Sequence, residues 1–322
     1  MWQSNLSWER AKQRAEIIQS IRNFFVQRDV VEVETPLLCN GTITDVYIDS
    51  FNCRFDFSES SDSQTNLYLQ TSPEFAMKRL LASGYGSIFQ LCKAFRHEPF
   101  GSFHNPEFTM LEWYRLDYDH DDLMQEVEEF LLMLLPIDGS DRLTYQQAFI
   151  RYLQIDPLDC QLLELKEKLS SENIQGDWIE NEMDKDILLQ VLFSERIEKK
   201  IGQSSPCFIY NFPKSQSALA KLSTDDPRVA ERFECYFKGI ELANGFNELT
   251  DANEQLKRFE EDNIKRAKLG KALKPIDMNF IDALNAGLPN CSGVALGIDR
   301  LLMLIMNADT IKETMSFDIN NA

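Results

Sequence analysis

The 322-residue sequence predicts a fold of mixed helices and strands, and three observations carry that expectation. Apolar residues recur at helical spacing near the N-terminus. Strand-like runs recur at 86–115, 207–212 and 232–243, and the stretch at about 138–205 is polar and helical in pattern with few strand signals. A chain of this length exceeds the usual size of one small core, so one large α/β domain or two smaller ones are expected.

Taken in order, Ile17, Ile18, Ile21, Phe24 and Phe25 mark an amphipathic helix from Trp8 to Arg28. VVEVETPLL then alternates like a strand and stops at Pro36. In TSPEFAMKRLLASG, Thr71 or Ser72 caps a short helix that begins near residue 72; Pro73 occupies its first turn, Glu74 favours its dipole and Gly84 ends it. Residues 86–115 read as two strands around a loop at Pro99 to Ser102, and 119–135 as a helix opened by the Asp119 to Asp122 cluster. After the helical stretch at 138–205, strands return at CFIYNF and at RFECYFKGIELA, followed by a charged helix at 254–269. SGVALGIDRLLMLIM closes the chain as a glycine-flanked strand running into a helix.

Charge narrows the partners. With 52 acidic and 33 basic side chains the net charge is -19, which repels a phosphate backbone at long range and favours a basic protein or a cationic small substrate. Seven cysteines without a CxxC pair, and an opening MWQSNLSWER too polar for a secretory leader, lead us to expect a reduced, cytoplasmic protein. FLLMLL at 130–135 falls far short of the roughly 20 residues that span a bilayer, so no membrane segment is expected.

Three constellations carry chemistry. On a strand, Phe108, Met110, Glu112 and Tyr114 line one face, while Arg96 and Glu98 share a face on the strand before it. A ring suited to stacking on a base thus accompanies a guanidinium suited to phosphate. In IELANGFNEL, a two-residue turn at Asn244-Gly245 would pair Ala243 with Phe246, Leu242 with Asn247 and Glu241 with Glu248. Facing carboxylates repel, so either a bound cation such as Mg²⁺ relieves them, or they are solvated at a sheet edge, or one of them has a raised pKa. In GVALGIDRLLML, Gly297 permits close approach and Arg300 lies where a helix begins, near a field that favours anions.

Together these segments resemble the class II aminoacyl-tRNA synthetases, and within them the lysyl-type catalytic domain. VVEVETPLL is similar to motif 1, FRHE through HNPEFTMLEWY to motif 2 and GVALGIDRLLML to motif 3; TSPEFAMKRLL and ELANGFNEL resemble the lysine-type stretches between. The resemblance implies an α+β fold, an antiparallel sheet flanked by helices with a helical insertion, active as a homodimer through motif 1. It further implies that Arg96 holds the α-phosphate of ATP, that Glu98 and Asn105 hold the nucleotide, and that adenine stacks on Phe108. Glu241, Leu242, Gly297 and Arg300 would complete the ATP site, with Glu241 and Glu248 near Mg²⁺. Ser72, Pro73, Glu74, Glu112, Tyr114 and Glu248 would form the amino-acid pocket, where several carboxylates suit a substrate with two ammonium groups.

Three departures shape the expected function. A full lysyl-type synthetase has an OB-fold anticodon-binding domain ahead of its catalytic domain, whereas here the motif 1 helix begins near residue 8. The expectation is one catalytic domain over 1–322, with a helical insertion at about 138–205, no anticodon-binding domain and no role for tRNA as acceptor. Ala295 stands where the synthetase pattern has glycine, and one extra methyl in a packed pocket costs about 1 to 3 kcal/mol against a ligand that needs the space. His97 replaces the usual asparagine in the nucleotide-binding run and faces away from Arg96 and Glu98 by alternation. An acidic, stand-alone domain of this kind resembles the bacterial elongation factor P ligases. That resemblance implies attachment of (R)-β-lysine to a lysine of elongation factor P through an adenylate, with Arg96 and Arg300 as the catalytic cations. The remaining alternatives are a lysyl-adenylate ligase for a small molecule or truncated tRNA, and a non-catalytic lysine or ATP sensor.

Overall fold

The computed structural model describes residues 2–56 and 64–322, and these form two compact units: 1–118 with 249–322, and 119–248. Residues up to 118 supply α1 (Trp8–Val26), β1 (Val31–Glu32), β2 (Leu38–Cys39), β3 (Asn52–Asp56), β4 (Gln64–Leu69), α2 (Glu74–Ala82), β5 (Ile88–Phe95) and β6 (Glu107–Leu116). The second unit contains α3 (His120–Leu134), β7 (Asp141–Thr144), α4 (Tyr145–Leu153), α5 (Leu162–Ser171), α6 (Asp177–Asn181) and α7 (Lys185–Leu192). It continues with β8 (Cys207–Pro213), β9 (Val229–Phe237) and β10 (Ile240–Asn247). The chain returns to the first unit with α8 (Ala252–Lys268), α9 (Met278–Gly287), β11 (Cys291–Gly297) and α10 (Ile298–Met306).

In the first unit the strands run in the order β1, β5, β6, β11. The two central pairings are antiparallel, but β1 joins β5 in parallel, with Val31 opposite Ile88. VVEVETPLL yields only the two-residue β1 plus β2, which belongs to a separate small sheet with β4 and β3. The longer expected strand is cut short because both residues of β1 are exposed, leaving no buried face to extend the pairing. α1 follows the sequence reading: the Ser7 hydroxyl accepts from the Arg10 N–H, and Ile17, Ile21, Phe24 and Phe25 are buried. Phe25 stacks on Phe89 with ring centroids 4.4 Å apart and meets Trp113 edge-on, which fixes α1 against β5 and β6.

In the second unit the order is β10, β9, β8, β7, antiparallel except for the parallel pair β7–β8. Each unit's run of strands therefore mixes antiparallel and parallel pairs, in an α+β arrangement. α3 opens on a capping box between Asp119 and Asp122, as the acidic cluster suggested. The stretch 138–205 is helical apart from the edge strand β7, and its core gathers Tyr145, Phe149, Leu165, Leu189 and Phe193. No helix among the described residues is long and apolar enough to cross a membrane.

Candidate active site

β6 is the floor of the site in the first unit. Glu112 is only 2% exposed, and both its oxygens are taken: Ser72 Oγ donates to Oε2 at 2.6 Å and the Tyr114 hydroxyl to Oε1 at 2.7 Å. Ser72 also accepts the Glu74 N–H at 3.0 Å, so the residue that orients the carboxylate also ties down the start of α2, although the N-cap position is Pro73, without a side-chain hydrogen bond, and not Thr71 or Ser72 as expected. Pro73 occupies the position just before α2, and Gly84 ends that helix with φ 91°. Glu74 Oε1 accepts from the buried Lys78 Nζ at 2.7 Å. Burial, then the Glu74 charge, pushes the Glu112 carboxyl up to about 7, against the opposing hydrogen bonds of Ser72 and Tyr114 and the Lys78 charge. A cavity of about 160 Å³ lies beside Ser72, Pro73 and Glu74, walled on its far side by Asn40, Gly41 and Asp277. The structure thus brings Ser72, Glu74, Glu112 and Tyr114 together, and Ala295 joins them as the residue opposite Glu112 on β11.

The next group surrounds the β5–β6 connection, which is longer than the sequence suggested. β5 ends at Phe95, so Arg96 and Glu98 lie in the loop rather than on a shared strand face. Pairing ceases after the Arg96 N–H donates to the Pro106 carbonyl at 2.9 Å, and the Glu98 N–H turns back onto the Arg96 carbonyl. The Arg96 guanidinium lies 5.3 Å from the Phe108 ring centroid, and its Nε is buried without a hydrogen-bond partner among the described residues. Phe108 in turn packs on Met303, Ile311 and Met315. The His97 ring is exposed and edge-on to Phe51, while its N–H donates to the Asp49 carbonyl at 2.8 Å. The Asn105 amide is engaged with the backbone, donating to the Glu107 carbonyl and accepting from the Ile319 N–H at 3.0 Å.

Gly297 precedes α10, and a methyl placed on it would meet the Arg300 side chain at ordinary contact distance. Arg300 itself donates to the Phe103 carbonyl at 3.2 Å and lies 2.7 Å from His104 Nε2, so it rests on the loop that also carries Arg96. Asp299 beside it is buried and accepts the Thr109 N–H at 2.6 Å, joining α10 to β6.

The second unit corrects the expected hairpin. Its turn is at Lys238-Gly239, with φ of 51° and 74°, so RFECYFKGIELA is two strands instead of one and Asn244-Gly245 lies inside β10. Gly245 is buried opposite Phe233, and Asn244 accepts from Arg232 Nε at 3.3 Å, which leaves no place for a turn there. Glu241 therefore faces Tyr236, and not Glu248. A bulge at buried Leu242 shifts the register between Glu241 and Ala243, and this brings Glu241, Asn244, Phe246 and the following Glu248 to one face. The two carboxylates that the turn would have paired across a ladder are instead placed along one strand. Among the described residues no three His, Cys, Asp or Glu side chains form a metal cluster.

Several polar residues escaped the sequence reading. Lys78 is the i+4 partner of Glu74, a spacing that signals a helix ion pair. Arg232, Glu234 and Tyr236 line one face of β9, a polar stripe that alternation in RFECYF could have revealed, and Arg232 and the Tyr236 hydroxyl both donate to Glu234. Gln90, opposite Glu112 and holding the Thr35 hydroxyl at 3.0 Å, gives no signal in one sequence.

Comparison with known proteins identifies the family. A family model described as tRNA synthetases class II (D, K and N) matches residues 3–321. A protein of Photobacterium profundum, named elongation factor P--(R)-beta-lysine ligase, is 51% identical over 321 residues, covering 100% of this chain and 99% of that protein. A protein of the same name from Yersinia enterocolitica is 53% identical over 324 residues, covering 100% of this chain and 98% of its own. The chain belongs to the class II tRNA synthetase family of the D, K and N type.

Proposed function

We propose that this protein is an ATP-dependent, AMP-forming ligase that activates (R)-β-lysine and transfers it to the ε-amine of a lysine on elongation factor P. The observation that carries the reading is the end-to-end similarity, above half identity, to two proteins of that name. The pocket chemistry supports it. Glu112, held by Ser72 and Tyr114 and flanked by Glu74, suits an ammonium group, and the Ala295 methyl opposite Glu112 narrows the same face.

In the first step the amino-acid carboxylate attacks the α-phosphorus of ATP and pyrophosphate leaves. Arg96, whose buried Nε has no acceptor among the described residues, offers its guanidinium to the charge that develops, and Arg300 does the same from the start of α10. Glu98, Asn105 and Phe108 orient the nucleotide, with His97 in the same loop and Gly297 just before α10. Glu241 and Glu248, on one face of their strand, fit Mg²⁺ binding by one or two carboxylates and substrate phosphates, and would hold the ion. Mg²⁺ supplies charge neutralisation at those phosphates when bound. In the second step the acceptor amine attacks the mixed anhydride and AMP leaves, so positioning and electrostatics supply the rate. We take the working form to be a cytoplasmic homodimer and the whole chain to act as one catalytic domain.

The test is ATP–pyrophosphate exchange with (R)-β-lysine and with α-lysine, followed by transfer of the labelled amino acid to elongation factor P or to tRNA. Exchange with (R)-β-lysine and labelling of the protein acceptor are expected. Labelling of tRNA alone would overturn the acceptor, and no exchange with either amino acid would point to a sensor.

A further inference from the structure

One cluster of charges lies outside the residues assigned above. Arg266, on the last turn of α8, is 1% exposed and spends its guanidinium on three partners: Nε donates to the Ala272 carbonyl at 2.8 Å, Nη1 to the Asp45 carbonyl at 2.7 Å and Nη2 to Asp49 Oδ1 at 2.6 Å. Lys274 Nζ lies 3.5 Å and Lys271 Nζ 3.9 Å from the same carboxylate, so three cations surround one acid in a protein of net charge -19. Lys271 also donates to the Val46 carbonyl at 2.6 Å. A second tie lies further along the loop, where the buried Thr44 donates to Asp262 Oδ2 of α8 at 2.8 Å.

The other end of this braced segment meets the nucleotide loop. The Asp49 carbonyl accepts the N–H of His97, the residue between Arg96 and Glu98, and the Phe51 ring abuts the His97 ring at 5.2 Å. Arg96 is thus held on one side through Pro106 and on the other through Asp49. We infer that Asp49, caged by Arg266, Lys271 and Lys274, is a positioning residue that fixes Arg96 and Glu98 for the nucleotide. Partial burial alone would raise the Asp49 carboxyl, but the hydrogen bond and charge of Arg266, with Lys274 and Lys271, outweigh it and keep the acid below its ordinary value. The carboxylate therefore stays ionised, and the brace stays closed, throughout the neutral range. α8 also touches the amino-acid side of the site: Phe259 packs near Phe75 of α2, with ring centroids 5.6 Å apart. Among the described residues, Asp49 itself contacts the nucleotide loop and its Arg266, Lys271 and Lys274 cage and not the amino-acid pocket, and this separates the two substrates.

The inference rests on the ligase reading, and pyrophosphate exchange by the full chain tests both. ATP is varied at saturating (R)-β-lysine and the reverse, in wild type, Asp49→Asn and Lys274→Met, with thermal unfolding of each. Asp49→Asn should raise KM for ATP or lower kcat by about tenfold or more while KM for the amino acid stays within about twofold, the scale expected when a catalytic group shifts by a fraction of an ångström. Lys274→Met, which leaves the Asp49–Arg266 bond in place, should move ATP kinetics in the same direction by less. A folded Asp49→Asn with wild-type ATP kinetics, or with both KM values raised alike, overturns the inference. Should Asp49→Asn fail to fold, Lys274→Met decides, and unchanged ATP kinetics there overturn it too. Absence of exchange in the wild type would instead sink the ligase reading and the inference with it.

Discussion

Ala295 and Glu112 stand opposite one another across the β6–β11 ladder, and Gln90 stands opposite Glu112 on the other side. Directly opposed residues share a face, so the methyl that distinguishes the third motif is a neighbour of the carboxylate that Ser72 and Tyr114 orient.

Replacing that methyl should change substrate choice. Ala295→Gly is expected to shift the ratio of pyrophosphate-exchange efficiencies for (R)-β-lysine and α-lysine by roughly tenfold toward α-lysine, the worth of about one methyl in a packed pocket. An unaltered ratio would remove Ala295 from the specificity argument.

The pH dependence follows from Glu112. Its folded pKa, about 7, is raised from an ordinary 4.5, so the native state holds a proton that the unfolded chain has lost between those values. Stability from this group is therefore full below about pH 4.5 and falls as pH rises through about 7. A bound ammonium favours the carboxylate, so binding should release a proton near neutrality and amino-acid affinity should climb between about pH 6 and 8. Calorimetry in buffers of different ionisation enthalpy reads that proton. Glu112→Gln should abolish the release, and persistence of it would assign the proton elsewhere.

Arg96→Ala should lower pyrophosphate exchange by about two to three orders of magnitude with the fold intact, the usual cost of losing one donor aimed at developing charge. Near-normal exchange in a folded variant would refute the role given to Arg96.

Gly202 tests the second unit's packing. Its φ is +64°, its carbonyl accepts the Lys238 N–H at 2.7 Å, and an added methyl would collide with the Tyr236 carbonyl. Gly202→Ala should cost about 2 to 4 kcal/mol, combining a left-handed backbone penalty with a backbone clash. Thermal unfolding of the variant within a degree of wild type would contradict the packing described.

Local signals were readable wherever one residue type has one use. The cap at Asp119, the stop at Gly84, and the face shared by Glu112 and Tyr114 follow from spacing and hydrogen-bonding chemistry alone. Asn244-Gly245 misled because turn preference is a local quantity. Lys238-Gly239 meets the same φ requirement six residues earlier, and burial of Gly245 against Phe233 decides between the two. Arg96 and Glu98 looked like strand residues because alternation does not reveal where a partner strand ends.

By itself, the sequence determined the fold class, the order of the three motifs and the chemical types of side chain in the site. Helix and strand periodicity and the residue types of the motifs are written along the chain. Tertiary structure alone decided that Ala295 neighbours Glu112, that a bulge at Leu242 turns Glu241 and Glu248 to one face, and that Arg266 reaches Asp49 across more than two hundred positions. Register, bulges and long-range ion pairs depend on which surfaces the folded chain buries together, and no local pattern encodes that.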